Sequence, residues 1–254
     1  MVVGSGIEAV AHVTQAAKGA IEQADEVLYL VGDWVTADWI VSLNPAAESL
    51  RPLYRSGQDR RTTYRGMVER TLRGVRAGRK VCAVFYGHPG VFADAPHEAI
   101  RVARQEGYAA DMLAGVSAED CLFADLGVDP GRSGCQSYEA THFLLYRHRF
   151  DVNTPLVLWQ VGVVGHTEYQ SREYSLEGFQ ILAGRLAELY GPDHEAILYA
   201  ASIFGVCKPD IQRVALGKLA ETRPTATSTL YVPAKDTPPV DDAMVQLLGG
   251  GSDP

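Results

Sequence analysis

The sequence lacks the features that mark several large classes of protein. It has no apolar run of about eighteen residues, so no membrane-spanning helix is predicted. Its first residues show no basic segment followed by an apolar core, which argues against a signal peptide and predicts a cytoplasmic protein. The net charge is −8 and no basic stripe stands out, so nucleic acid is not an expected partner.

Cysteine is scarce and scattered. The four cysteines, Cys82, Cys121, Cys135 and Cys207, show neither a CxxC motif nor Cys/His ligand spacing. We therefore expect reduced thiols that lie mostly in the core. None of the seven histidines lies in an HExxH or paired-ligand pattern, so no metal site is predicted.

The first part of the chain has the order of elements of an α/β protein. A short apolar strand (residues 1–3) leads through a glycine turn into an alanine-rich helix (8–23) and then into a continuous apolar strand (26–32). This strand, helix, strand order predicts a parallel sheet covered by helices. With 254 residues, 46% of them hydrophobic, the chain suits one large α/β unit or two halves of roughly 120 residues.

The pattern restarts near residues 114–116, which predicts two α/β domains, 1–114 and 115–236, followed by a tail, 237–254. The tail is rich in proline and acidic residues, and we expect residues 249–254 to be frayed. Residues 130–134 are predicted to form a loop. The other predicted helices cover residues 63–77, 96–106, 117–126, 175–189 and 213–220, and the other strands cover residues 80–86, 155–160, 195–200 and 228–232.

The glycine turn permits two interpretations. Residues 4–9 (GSGIEA) fit the G-x-G-x-x-A form of a dinucleotide fingerprint, in which glycines let a pyrophosphate approach a helix N-terminus. That fingerprint also needs an acidic residue about 20 positions later, and the candidate, Asp33, lies further on, beyond Gly32. A tight turn with a purely structural role is the favoured alternative.

A more specific signal follows the strand at 80–86. There a buried strand leads directly into a loop with two glycines and a proline, residues 87–90 (GHPG). Such a loop exposes bare backbone at the carboxyl edge of a parallel sheet, where open α/β folds bind their ligands. Spacing alone supports a ligand-binding loop and a tight surface turn equally.

Four segments carry a family resemblance: residues 86–92 (YGHPGVF), 114–120 (AGVSAED) with 123–127 (FADLG), 159–162 (WQVG) and 227–233 (TSTLYVP). In this order they resemble the tetrapyrrole-methylase superfamily and, within it, the borosin peptide backbone α-N-methyltransferases. The resemblance implies a homodimer of two-domain subunits with S-adenosylmethionine in the cleft between the domains. By motif position, the residues implied to line that pocket are Tyr86, His88, Val91, Ala118, Gln160, Ala201, Ser228 and Thr229.

The resemblance also implies a catalytic set. Residues 53–64 (LYRSGQDRRTTY) are similar to the family's catalytic stretch, which gives Arg60, Tyr64 and Tyr86 catalytic positions with Tyr54 close by. Arg60 and Tyr64 are four residues apart, so at the start of a helix they share one face. Without the family match, the favoured interpretation is a solvated arginine and a half-buried tyrosine.

These residue types suit methylation of an amide. An amide nitrogen is a poor nucleophile because resonance moves its lone pair into the carbonyl. Proton removal by a tyrosinate, or hydrogen bonds to an imidate-like oxygen, would return that electron density. A free phenol has a pKa near 10, so a base among these tyrosines needs a cation such as Arg60 to favour the phenolate form.

Borosin enzymes of the fused type carry their substrate as a C-terminal extension, whereas this sequence ends at Pro254, shortly after Pro233. That predicts a split arrangement in which a separate precursor peptide binds the dimer. One alternative is a tetrapyrrole ring methyltransferase, which has no evident need for Tyr54, Arg60 and Tyr64. A second alternative is a non-catalytic binding protein with a degenerate pocket.

Overall fold

The computed structural model describes residues 1–171 and 174–249, and their strands form two sheets. The first sheet has the order β1-β4-β2-β3, and its strands pair in parallel. It consists of β1 (Val2–Gly4), β2 (Glu26–Leu30), β3 (Ala47–Ser49) and β4 (Val81–Phe85). The α/β fold class and the parallel start are therefore confirmed.

The second sheet has the order β5-β6-β9-β7-β8 and is mixed. Its strands are β5 (Gln136–Glu139), β6 (Leu156–Trp159), β7 (Glu195–Ala200), β8 (Asp210–Ala215) and β9 (Thr229–Val232). Strand β9 lies between β6 and β7 and runs antiparallel to both. The carboxyl ends of β6 and β7 therefore lie beside the amino end of β9.

Helices flank both sheets. The first half contains α1 (Gln15–Glu22), α2 (Trp34–Leu43), α3 (Arg60–Arg76) and α4 (Asp94–Gln105). The second half contains α5 (Ala118–Leu126), α6 (Pro130–Ser133), α7 (Ala140–Leu145), α8 (Glu177–Tyr190) and α9 (Asp242–Leu247). None of the helices in the described residues combines the length and the apolar character that crossing a bilayer requires.

Alternation along the strands assigns these helices to faces of the first sheet. Successive residues of a strand point to opposite faces. Leu28 packs in the core cluster that contains Met67 of α3, while its neighbour Val27 packs in the cluster that contains Ile21 of α1 and Ile40 of α2. Helices α3 and α4 therefore cover one face, and α1 and α2 cover the other.

The second sheet is divided in the same way. On one face, Leu158 of β6 and Leu198 of β7 pack with Phe179 and Leu182 of α8. On the other face, the neighbouring positions Trp159 and Tyr199 pack with Leu122 of α5. The face covered by α5 thus carries Trp159, Tyr199 and Tyr231, whereas Tyr138 of β5 packs on the α8 face.

Two predicted helices were wrong in extent or type. The helix predicted over residues 8–23 begins only at Gln15, where Thr14 caps it by accepting a hydrogen bond from the Ala17 N–H. Val10 upstream has φ +62°, which a right-handed helix excludes. The helix predicted over residues 213–220 is strand β8 followed by a 3₁₀ helix (Leu216–Glu221), because antiparallel pairing with β7 outweighs local helix propensity.

Other differences are smaller. The predicted loop at 130–134 contains the short helix α6, and α2, α7, β3 and β5 were not predicted. Within the predicted tail, residues 242–247 form α9, and residues 250–254 lie outside the described part. All four cysteines are free; Cys82 is buried, but Cys207 is exposed, so the expectation of core thiols holds only in part. The domain boundaries at 114 and 236 stay a prediction.

Candidate active site

A cavity of about 470 Å³ lies between the carboxyl edge of the first sheet and the second sheet. The first half lines it with the loops after β1, β2 and β4 and with part of α3; the second half adds the start of α5, the ends of β6 and β7, and the start of β9. Nine of the residues singled out from the sequence line it: Tyr54, Tyr64, Tyr86, His88, Val91, Ala118, Gln160, Ala201 and Thr229. Arg60 and Ser228 lie outside this lining.

The two glycine loops of the first half interlock at the floor of the cavity. The Gly6 N–H donates to the Gly87 carbonyl (3.2 Å), and the Gly87 N–H donates to the Gly6 carbonyl (3.0 Å). A Cβ added to Gly4 would lie 2.2 Å from the Gly87 oxygen, so only glycine allows this approach. The turn at residues 4–6 therefore has the structural role favoured above.

The dinucleotide interpretation fails on two observations. The fingerprint requires a helix N-terminus directly after the glycines, whereas α1 begins at Gln15. Asp33, the candidate ribose ligand, caps α2 by accepting a hydrogen bond from the Thr36 N–H (2.7 Å). The strand and turn are present, but the anion-binding helix end and the free acidic residue are not found among the described residues.

The GHPG loop is held in shape by its own histidine. The Gly90 N–H donates to His88 Nδ1 (2.9 Å), and the Val91 N–H donates to the His88 carbonyl (3.1 Å). Gly87 adopts φ +71°, a conformation that favours glycine. His88 thus orders the loop while its ring lines the cavity.

Two non-glycine residues on the cavity wall have strained backbones. Phe92 has φ +52° and Gln160 has φ +57°. A left-handed conformation at such a residue costs about 1–3 kcal/mol and is found preferentially at functional sites. The Phe92 ring packs against Trp159, with centroids 5.0 Å apart, so this contact joins the two halves beside the cavity.

Burial raises the pKa of all four tyrosines that line the cavity, Tyr54, Tyr64, Tyr86 and Tyr199. It raises the pKa of Tyr86 to about 12 and the pKa of Tyr54 well above its ordinary value. The pKa of Tyr64 is also raised by burial, but the Arg60 charge is the largest opposing cause. For Tyr54 the Arg60 charge is a smaller influence, so Arg60 acts most strongly on Tyr64.

Residues of the second half of the chain hold the Arg60 side chain in place. Its Nη2 donates to the Tyr174 hydroxyl (3.1 Å), and its guanidinium carbon lies 5.6 Å from the centre of that ring. The Arg60 N–H also donates to the Thr167 carbonyl (3.0 Å). Nearby, the Tyr54 ring packs against Tyr169, with centroids 4.8 Å apart. The segment around residues 167–170 therefore positions the predicted catalytic stretch.

Ser228 stabilises the turn next to the cavity and does not itself line the cavity. It is buried, and its Oγ accepts a hydrogen bond from the Thr225 N–H (2.9 Å). The resulting turn presents Thr227 and Thr229, which do line the cavity. Motif position had placed Ser228 on the pocket wall with Thr229, but the Ser228 side chain bonds to the backbone of Thr225 and lies outside the lining.

Several lining residues were missed from the sequence. Tyr199 is fully buried and donates a hydrogen bond to Asp125 Oδ2 (2.6 Å). Trp159 donates from Nε1 to Ser137 Oγ (2.6 Å). Asp94 is the one carboxylate among the lining residues of the described chain. Trp159 belongs to the motif at residues 159–162, and Tyr199 lies two residues before Ala201, but only the positions of β6 and β7 in the folded sheet show that both side chains line the cavity.

No group of three or more histidine, cysteine, aspartate or glutamate side chains is arranged to hold a metal ion in residues 1–171 and 174–249. The cavity is lined mostly by backbone, phenols and apolar side chains, with His88, Asp94 and Gln160 among its polar groups. Such a pocket, mostly apolar with a few fixed polar groups, is typical of small-molecule sites.

Comparison with known sequences gives two related proteins with long matches. A Coprinopsis marcescibilis protein, described as a methyltransferase and ribosomally synthesized type I borosin cyclic peptide precursor, is 44% identical over 240 residues, which are 92% of this chain and 61% of that protein. An Anomoporia bombycina protein, described as the corresponding type III precursor, is 42% identical over 98% of this chain and 29% of its own length. This chain thus spans less than two thirds of either relative. The resemblance to the borosin methyltransferases is confirmed.

The fold has a solved counterpart. The uroporphyrin-III-C-methyltransferase from Thermus thermophilus superimposes with a TM-score of 0.65 at 19% identity, covering 95% of this chain and 97% of that one. At this identity the likeness concerns the fold. The family model for tetrapyrrole (corrin/porphyrin) methylases matches residues 1–222. By that match over most of its length, the chain belongs to the tetrapyrrole methylase family.

Proposed function

We propose that this chain is an S-adenosylmethionine-dependent methyltransferase that methylates backbone amide nitrogens of a peptide. The observation that carries the proposal is the convergence of three phenols, Tyr54, Tyr64 and Tyr86, on one cavity, with Arg60 acting on Tyr64. Methylation of a ring carbon has no evident need for such a set, whereas an amide does. The two borosin relatives, each described as both methyltransferase and peptide precursor, support the same choice.

The cavity suits the methyl donor. Bare backbone at Gly32 and Gly87 permits close approach of a ligand, and the rest of the lining is largely apolar. The residues proposed to hold the donor are His88, Val91, Ala118, Gln160, Ala201 and Thr229, with Ser228 supporting their turn. When bound, S-adenosylmethionine supplies an electrophilic methyl group on a sulfonium.

The three phenols divide into two roles. Tyr54 and Tyr86 have the most strongly raised pKa values with little or no relief from Arg60, so they stay protonated and donate hydrogen bonds to the peptide oxygen. These bonds stabilise negative charge on that oxygen as the amide nitrogen loses its proton. Tyr64 is the proposed acceptor of that proton in its phenolate form, which the Arg60 guanidinium favours. The Tyr64 hydroxyl first releases its own proton to solvent, and the phenolate then takes the proton of the amide nitrogen.

We also propose that the substrate is a separate precursor polypeptide and that the enzyme is a cytoplasmic homodimer. The lining residues lie between Ile7 and Thr229, so the described part of this chain assembles the cavity without the further length of its relatives. A cavity complete in this way can accept a peptide supplied by another chain. The dimer is implied by the resemblance.

Two substitutions test the proposal. Tyr64→Phe and Arg60→Ala should each lower turnover at least about a hundredfold, because proton transfer is lost or weakened. Affinity for S-adenosylmethionine, measured by isothermal titration calorimetry, should stay nearly unchanged. Turnover is followed by mass spectrometry of a separately supplied peptide, with fragment ions locating each methyl group on nitrogen or carbon. Tyr108→Phe, which removes an exposed hydroxyl outside the cavity, is the matched control.

Three outcomes would contradict the proposal. Undiminished turnover in both variants would dismiss the catalytic assignment. Methylation of a corrinoid precursor in place of the peptide would identify a ring methyltransferase. Absence of heat on titration with S-adenosylmethionine would indicate a binding protein with a degenerate pocket.

A further inference from the structure

A second cavity, of about 650 Å³, lies between α3 and α4. Tyr64, Asp94 and Ala95 line both cavities, so the second cavity adjoins the reaction cavity at the proposed proton acceptor. We call this second space the α3/α4 groove. Its walls consist of Arg61, Tyr64, Arg65, Val68 and Glu69 from α3, and of Asp94, Ala95, His97, Glu98, Arg101 and Val102 from α4.

The groove is formed by one continuous face of each helix. Its α3 residues follow Arg61 at spacings of three, four, seven and eight, and most of its α4 residues follow Asp94 at the same spacings. Residues so spaced lie on one side of a helix. The groove is therefore an elongated channel along two packed helices, a shape that suits an extended polypeptide.

Among the described residues, the groove has two arginines, Arg61 and Arg65, and one carboxylate, Asp94, without an ion-pair partner within 4.0 Å, which leaves an excess of one positive charge. Arg101 pairs with Glu98, and Glu69 pairs with Arg76. Arg61 and Arg65 are exposed on neighbouring turns of α3 and have no carboxylate within 4.0 Å among residues 1–171 and 174–249. The described contact of the Arg65 guanidinium is a hydrogen bond to Thr62 Oγ1 (3.2 Å).

This local charge opposes that of the whole chain, which is −8. Two guanidinium groups four residues apart offer paired N–H donors of the geometry that binds a carboxylate. An extended chain advances about 3.3 Å per residue, so a carboxylate within about four residues of an amide at Tyr64 could reach them.

We propose that the α3/α4 groove binds the peptide substrate next to the methylated residue, and that Arg61 and Arg65 bind an acidic side chain of that peptide. The inference rests on the proposed function and names a recognition element for the same site. Two observations carry it: the groove shares Tyr64 with the adjoining reaction cavity, and its two unpaired arginines outnumber its one unpaired carboxylate.

The test uses a pair of capped, fluorescein-labelled apolar peptides that differ at one position, a glutamate or a glutamine about three residues from the centre. Binding is measured by fluorescence anisotropy in the presence of S-adenosylhomocysteine, and methylation is measured separately as KM and kcat. The double variant Arg61→Gln/Arg65→Gln should weaken binding of the glutamate peptide about tenfold and raise its KM by a similar factor. Its kcat and its affinity for the glutamine peptide should stay unchanged.

A matched control removes two exposed arginines elsewhere. Arg132→Gln/Arg147→Gln changes the net charge equally but should leave both peptides bound as by the wild type. Added salt should weaken binding of the glutamate peptide to the wild type, because salt screens exposed ion pairs. It should have little effect on binding of that peptide to the groove variant.

The outcomes separate this inference from the function on which it rests. Equal binding of the two peptides by the wild type, or binding of neither, overturns the inference. A dimer that dissociates in the groove variant during sedimentation also overturns it, because the groove would then be an interface between two copies of the chain. Arginine-dependent binding without any methylation would leave the groove inference standing and remove the proposed function.

Discussion

The two sheets face one cavity but contribute to it in different ways. The first sheet is parallel, so the carboxyl ends of β1, β2 and β4 meet at one edge and supply glycine loops and phenols. The second sheet is mixed, so β6 and β7 bring their carboxyl ends while β9 brings its amino end. What it supplies is buried side chains, such as Trp159 and Tyr199, whose positions strand pairing fixes.

The difference shows where each half tolerates change. The first half presents backbone at its glycine loops as well as side chains, so a Cβ added to such a glycine displaces main-chain atoms. The second half presents side chains, so removing a single hydroxyl leaves the strand that carries it in place. Changes on the first side should therefore cost more than changes on the second, and the following experiments test that order.

The largest effect should come from Gly4→Ala. The new Cβ would lie 2.2 Å from the Gly87 oxygen and 2.8 Å from Pro89 Cδ, so the two interlocked loops must separate. We expect a loss of about 3 kcal/mol in the free energy of unfolding, as for severe overpacking, together with loss of donor binding. Urea denaturation and calorimetry measure the two effects.

Gly184→Ala is the control for that substitution. Gly184 lies in α8, and a Cβ there meets no heavy atom within 4 Å, so the change should stabilise the protein by about 0.5–1 kcal/mol. A Gly4→Ala protein as stable as the wild type would show that the loops are not rigidly interlocked.

A second comparison concerns ion pairs on the two sheets. At the start of β2, the buried Glu26 is held by Arg70 (2.5 Å) and Arg79 (2.8 Å), and Arg70 also pairs with Glu48. Arg70→Ala should lower the free energy of unfolding by about 2 kcal/mol, because a largely buried carboxylate loses one of its two cations. Denaturant titration measures this loss.

On the second sheet, Arg213→Ala removes the exposed partner of Glu195 and should cost less than about 0.5 kcal/mol. Equal losses in the free energy of unfolding of the Arg70 and Arg213 variants would show that the buried ion pair of the first sheet is no more stabilising than the exposed pair of the second.

The third effect is a dependence of the free energy of unfolding on pH, which arises from the Tyr86 hydroxyl. Its pKa in the folded protein, about 12, lies above the ordinary value of 10.0, so the folded state favours the protonated phenol. The resulting stabilisation is complete below pH 10 and is lost as the pH rises towards 12. We expect a loss of about 1 kcal/mol over that range, after discounting for solvent screening. The Tyr86→Phe variant should lack this loss of stability between pH 10 and pH 12. If the free energy of unfolding falls equally in the wild type and the variant over that range, the prediction is wrong.

The smallest effect among the cavity residues should follow Tyr199→Phe on the second sheet. The lost hydroxyl donates to Asp125, whose exposed carboxylate can bind water instead. The expected cost is below about 1 kcal/mol in thermal or urea unfolding, with turnover retained. A large loss of turnover would mean that the second sheet also supplies a reacting hydroxyl.

Much of the fold followed from local patterns. Buried strands at β2, β4, β6, β7 and β9 were predicted from apolar runs, and the GHPG loop was predicted from its glycines and proline. Strand β8 was not, because its residues are mostly exposed and only pairing with β7 makes them a strand. For the candidate site, motif position placed Gln160 and Thr229 on the cavity wall, whereas Ser228 turned out to support it from behind.

The sequence by itself determined the α/β class, the glycine loops at the sheet edge and the family to which those motifs point. The tertiary structure decided which groups meet: the interlock of Gly4 with Gly87, the Arg60 contact with Tyr174, and the groove between α3 and α4. Patterns in the sequence reveal relations only between residues a few positions apart along the chain. Arg60 and Tyr174 are 114 positions apart, so their contact exists only after both halves have packed.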